Sequence, residues 1–130
     1  MKYLKTYEIL NGASISKSLM KDIRIAQKRI TELIDAIEYN DYNDFKKLID
    51  NSNLEEIDKH GNTALLYAAK EGRLKMLKEL IKHGADIYHK NDKGEDFYDM
   101  AENRYKFING VKDWIEETYP EIVASKKYNL

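Results

Sequence analysis

Residues 61–72 read G-N-T-A-L-L-Y-A-A-K-E-G, and residues 83–87 read H-G-A-D-I. The Thr63 hydroxyl is suited to cap a helix, accepting from an N–H that has no partner inside the helix. Apolar residues then recur at helical spacing: Leu65, Leu66, Ala68 and Ala69 in one short helix, Leu74, Leu77, Leu80 and Ile81 in the next. Gly72 stands between them and offers the left-handed backbone that a tight helix-to-helix turn requires. Gly84 does the same after the second helix. Ala85-Asp86-Ile87-Tyr88 then leads to a turn with its tip at Lys93-Gly94, and Asp96 is placed to cap the helix that follows.

The unit repeats. A shift of 33 places Gly94 under Gly61, Asp96 under Thr63, Tyr98 under Leu65 and Ala101 under Ala68. A shift back of 32 places Thr31 under Thr63, Leu33 under Leu65, Ile34 under Leu66 and Ala36 under Ala68. Phe45-x-x-Leu48-Ile49 likewise lies under Leu77-x-x-Leu80-Ile81. Three imperfect copies at a period of about 33 describe one supersecondary unit, stacked. In this alignment Thr31 is the N-cap of the first copy. Asn40 stands where that copy needs a left-handed residue, which Asn tolerates; Tyr105 takes that place in the third.

These residues resemble the ankyrin repeat, whose pattern is G-x-T-P-L-H-x-A-A-x-x-G followed by V-x-x-L-L-x-x-G-A-D-I/V-N. The resemblance is in register over 58–91 and holds in pattern only for the flanking copies. It implies an all-α solenoid of about three stacked helix-turn-helix units. Ala64 and Leu66 replace the family's proline and histidine, so that histidine's hydrogen-bonding role is absent and a slightly weaker tie between repeats is expected. Terminal repeats are normally degenerate, because one face meets water instead of a neighbour. Ile15, Leu19, Ile23, Ala26 and Ile30 form an apolar stripe, read as an N-terminal capping helix over 14–28. The expected organisation is a segment 1–13, a repeat domain 14–120 with repeats at 29–57, 58–90 and 91–120, and a C-terminal tail 121–130, frayed from Ser125 to Leu130. Phe107, Val111 and Trp114 or Ile115 mark the last helix, which Tyr119-Pro120 ends.

Composition narrows the function. Among 130 residues, 22 basic and 23 acidic side chains leave a net charge of −1. That balance exerts no long-range pull on nucleic acid or an anionic membrane, so neither is an expected partner. Without cysteine there are no disulfides or thiolate metal sites, and a reducing compartment is the natural home. No apolar run approaches the ~20 residues of a membrane span, and the interrupted apolar residues of 1–13 do not make a secretory signal. A cytoplasmic, monomeric protein is expected. The abundance of lysine, asparagine, isoleucine and tyrosine points to an AT-rich coding genome.

Candidate chemistry is sparse. His60, His83 and His89 are read as exposed polar residues without the converging partners of a metal site. Asn91 to Asp96 lacks the alternating oxygens and closing glutamate of a calcium loop, and is read as a turn tip. No phosphate-binding glycine loop or nucleophile elbow occurs. No catalytic, cofactor or metal residue is assigned, and the expectation is a protein that is not an enzyme. Ten tyrosines and one tryptophan exceed what so small a core would bury, and these residues often anchor protein interfaces.

The ankyrin resemblance implies binding on a concave surface of turn tips and first helices. Its variable positions fall at Lys59, His60, Asn62, Tyr67, Lys70 and Glu71 in the central repeat. Glu38 and Tyr39 flank them on one side; Asp92, Lys93, Glu95, Asn103 and Arg104 flank them on the other. Tyr39 and Tyr67 are both expected to face the groove. The reading is a non-catalytic module that binds another protein, as inhibitor or adaptor on a host factor. A structural or packaged protein of a phage or virus, with a short N-terminal leader, is the alternative.

Overall fold

The computed structural model describes residues 16–102 and 110–128. They form seven helices: α1 Lys17–Glu38, α2 Tyr42–Ile49, α3 Ala64–Glu71, α4 Leu74–Lys82, α5 Phe97–Glu102, α6 Gly110–Thr118 and α7 Pro120–Lys127. Three antiparallel pairs, α1–α2, α3–α4 and α5–α6, stack through their first helices, with α3 between α1 and α5. The expected Ile15, Tyr105 and Phe107, like the segment 1–13, lie outside the described residues.

Turn chemistry fixes the pairs. Gly72 ends α3 at φ 71°, and Asn40 takes the same left-handed conformation, φ 57°, between α1 and α2. Asn serves there because its short polar side chain lowers the cost of a backbone that a branched residue would resist. Leu33, Ile37, Phe45, Leu65, Leu66, Met76, Leu77, Leu80, Val111 and Ile115 are fully enclosed and form one continuous core through the stack.

Two boundaries differ from the sequence reading. The capping helix expected over 14–28 and the first helix of the first repeat are a single helix of 22 residues, about 33 Å long. Thr31 is therefore not an N-cap; it lies inside α1, and its hydroxyl donates to Gln27 O at 2.8 Å. The cap of α1 is Ser16, whose side chain accepts from Leu19 N. Of the expected stripe, Ile23 and Ile30 are buried and Ala26 is half-buried, whereas Leu19 is 48% exposed.

The C-terminal end also differs. α6 stops at Thr118 before Tyr119-Pro120, as expected, but Pro120 then opens α7, because proline at the first helical position lacks an N–H that would be unpaired anyway. Ile122 is buried, and Lys126 Nζ lies 3.0 Å from Asp96 Oδ2 and 2.7 Å from Asp99 Oδ2. The stretch expected as a C-terminal tail, frayed from Ser125, is thus a helix through Lys127 that covers the end of the stack. Tyr119 packs edge-on against both Phe97 and Trp114.

The second helices are stitched together along the outer face. Lys75 Nζ lies 3.9 Å from the Tyr42 ring centroid, Lys78 lies 5.5 Å from that of Trp114, and Lys46 pairs with Glu79 at 3.3 Å. His83 adds Nε2 to Asp50 Oδ1 at 3.1 Å.

Candidate functional site

The loops before α3 and α5 are each built by one side chain. Asp58 Oδ1 accepts from His60 N at 2.8 Å and Asn62 N at 2.9 Å. Thirty-three residues on, Asn91 Oδ1 accepts from Lys93 N and Glu95 N, both at 3.0 Å. Asp and Asn do this well because a short side chain can bond the backbone two residues ahead and mimic a turn. The two fingers are then tied to each other. His89 Nε2 donates to Gly61 O at 2.8 Å, Asn91 Nδ2 to Asn62 Oδ1 at 2.9 Å, and Asp92 N to His60 O at 3.1 Å.

Those bonds answer the expectation of a weakened tie between repeats. Leu66 is buried where the family pattern has histidine, and the Thr63 hydroxyl, on a residue 2% exposed, finds no partner among the described residues. It does not cap α3. The fingers tie the second and third repeats instead, and Arg73 ties the first and second, donating Nε to Ile37 O at 2.9 Å and a second guanidinium nitrogen to Glu38 O at 2.8 Å. His89 is half-buried and His83 is bonded on both ring nitrogens, so of the three histidines only His60 is an exposed residue without a side-chain bond among the described residues.

Between the first finger and α1 lies a cleft of about 730 Å³. Ile30, Ile34 and Ile57 supply its apolar lining, and Gln27, Lys28, Thr31, Glu32, Lys59 and His60 supply polar groups. Tyr67 closes one side. Its hydroxyl donates to Asp58 Oδ2, and Lys70 Nζ lies 5.8 Å from its ring centroid. Burial, with the Asp58 hydrogen bond and charge and a smaller contribution from the Glu38 charge, pushes the Tyr67 phenol up to about 12. The tyrosine therefore stays neutral and acts as a fixed donor and apolar wall.

The expected binding residues divide accordingly. Lys59, His60 and Tyr67 line the cleft; Lys70 and Glu38 lie beside Tyr67. Asp92 and Lys93 are exposed on the second finger, while Glu95 is half-buried and takes a bond from Asn91. Glu71 is half-buried. Two assignments fail. Asn62 is 8% exposed and bonded to Asn91, so it holds the repeats together and presents nothing to a partner. Tyr39 is 81% exposed but lines a different groove, with Asp35 and Leu48, because it sits on the side of α1 turned away from Leu33, Ile34 and Ile37. Asn103 and Arg104 lie outside the described residues. The α1 residues Gln27, Lys28, Ile30, Thr31 and Ile34 were missed, although no glycine or proline interrupts 17–38 and Ile23, Ile30, Ile34 and Ile37 keep helical period across it.

Residues 6–91, more than half of the chain, match the family model for ankyrin repeats in three copies. The chain belongs to the ankyrin-repeat family. A search of curated proteins finds no match. The family match ends at residue 91, and the stack of this ankyrin-repeat protein continues through α5, α6 and the covering helix α7. Ankyrin repeats generally mediate protein–protein interaction and typically act as binding modules without catalytic activity. No described helix is long and apolar enough to cross a membrane.

Proposed function

We propose that this ankyrin-repeat protein is a non-catalytic binding module that takes a segment of another protein into the cleft between α1 and the first finger, and so blocks or bridges that partner. The supporting observation is the cleft itself: an apolar strip of isoleucines beside a neutral, hydrogen-bonded Tyr67, with Lys59 and His60 at the finger tip. Such an arrangement combines an aromatic anchor fixed in advance with a polar rim, the pattern in which binding energy concentrates. Fixing Tyr67 through Asp58 lowers the ordering cost on association.

A photo-crosslinking residue placed at Lys59 tests the reading when the full chain is exposed to extract from its native source. A discrete protein adduct from position 59, absent from the same probe placed at Lys82 on the outer face, is the expected outcome. Adducts from position 82 alone would locate the partner on the second helices and end this reading.

A further inference from the structure

The outer end of the stack carries a second surface that shares only Glu32 with the lining of the cleft. On α1, Glu32 and Asp35 lie one turn apart on the exposed side, and Tyr39, the residue that ends the helix, follows one turn further on. Leu33, Ile34 and Ile37 are buried on the opposite face, toward the other repeats. Asp44, Lys47 and Leu48 form the corresponding stripe on α2, and the two stripes enclose an open groove of about 420 Å³. Half-buried Leu48 is the apolar part of its lining, over the buried Ala36, and Tyr39 stands at its edge with four fifths of its surface in solvent.

Charge identifies what would fill it. The lining residues include four carboxylates and one ammonium, a local excess of three negative charges on a chain whose net charge is −1. Asp35 and Asp44 form no ion pair among the described residues, and Glu32 meets only Lys28, at 3.9 Å. We propose that this groove docks a lysine- or arginine-bearing segment of a partner protein. Long basic side chains carry an aliphatic stem that can lie along Leu48 while the charged head reaches carboxylates. The exposed face of Tyr39 attracts the same cation through its ring quadrupole.

The test uses the full chain and a short fluorescein-labelled peptide of alternating arginine and leucine, with a glutamate–leucine peptide as its counterpart. Fluorescence anisotropy should show binding of the basic peptide alone, weakening as salt rises because exposed charges are screened. Affinity should fall by about tenfold in the double variant Asp35→Asn/Asp44→Asn and again in Tyr39→Ala, a loss of ~1.4 kcal/mol each. Asp41 is left intact because its carboxylate caps α2, and thermal melts of the variants should match that of the parent. Lys59→Ala/His60→Ala, in the cleft, should bind the peptide unchanged, which separates this surface from the proposed binding cleft. Equal binding of the glutamate peptide, or undiminished binding by the Asp35→Asn/Asp44→Asn variant, would overturn the proposal. So would sedimentation showing that Tyr39→Ala acts by abolishing self-association, since the occupant would then be a second copy of this chain.

Discussion

The Tyr67 hydroxyl donates to the carboxylate of Asp58, nine residues earlier, and joins the first helix of the central repeat to the finger that precedes it. Asp58 spends its other oxygen on two backbone N–H groups of that finger. One side-chain pair thus fixes both the finger's shape and its distance from the helix, and the cleft is the space they leave against α1.

Removing the hydroxyl should loosen the finger without opening the core. Tyr67→Phe should lower stability by about 1 kcal/mol, since Asp58 is only partly buried and water can replace the lost donor. Urea denaturation measures it. A loss above ~3 kcal/mol would mean that Tyr67 is a core residue and not a wall of the cleft.

Alkaline titration tests the same bond. Because folding raises the Tyr67 phenol from 10.0 to about 12, the folded state holds a proton that the unfolded state releases. Stability should be full below pH 10 and decline as pH rises from 10 toward 12. Burial, ahead of the Glu102 and Glu116 charges, raises Tyr98 as well, so Tyr67→Phe should reduce the decline and not remove it. Melting temperatures across that window, in the parent and the variant, decide it.

At Thr63 structure and sequence pattern give opposite expectations. As a working N-cap, threonine would lose about 1 kcal/mol on replacement. Its hydroxyl is instead buried without a partner among the described residues, so Thr63→Val should be neutral or stabilise by up to ~1 kcal/mol. A clear loss of melting temperature would show that the hydroxyl is bonded after all.

Much of this was legible from residues 58–94, where composition and local conformation agree. Gly72 and Gly94 are left-handed, Asn40 substitutes for glycine as expected, and Asp96 caps α5 through Tyr98 N and Asp99 N. Pattern and structure part at residues with two physical uses. Threonine can cap a helix or bond back to the carbonyl four residues earlier, and Thr31 does the latter, which hid a helix 22 residues long and with it one wall of the cleft. Proline stops one helix and starts another, so Pro120 concealed α7. The facing of Tyr39 was lost because a helix-end residue turns by about 100° per position, and the assumed frame of α1 was wrong.

The covering helix makes a further prediction. Lys126 joins α7 to the cap of α5 through Asp96 and Asp99. Burial acts to raise Asp99, but its bonds to Lys126 and Asp96 outweigh that and hold it below the usual carboxylate range. Stability from this pair is therefore present above pH ~4, near the unfolded aspartate value, and is lost as pH falls below it. Lys126→Met should cost about 2 kcal/mol at neutral pH, as expected for charge-assisted hydrogen bonds, and should flatten the acid limb of the stability curve. Chemical denaturation at pH 7 and pH 3 reads both.

Gly61 sets the spacing of the fingers. It has φ +78°, and a Cβ there would stand 2.6 Å from Asp92 Oδ1 and 3.0 Å from Asp92 N. Gly61→Ala should therefore cost about 1–2 kcal/mol in backbone conformation alone, with a further loss from displacing the second finger. Amide exchange should show the faster opening at Asn62 and Asp92; unchanged exchange there would mean that the fingers are not held by this contact.

Entry of a partner protein into the cleft is read by hydrogen exchange of the full chain with and without the crosslinked partner, once purified. Binding should slow exchange in 27–34 of α1 and in 57–67 across the finger and the start of α3, while α2 and α4 remain as in the free protein. Protection confined to α2 and α4, with 57–67 unchanged, would place the partner on the outer face and not in the cleft.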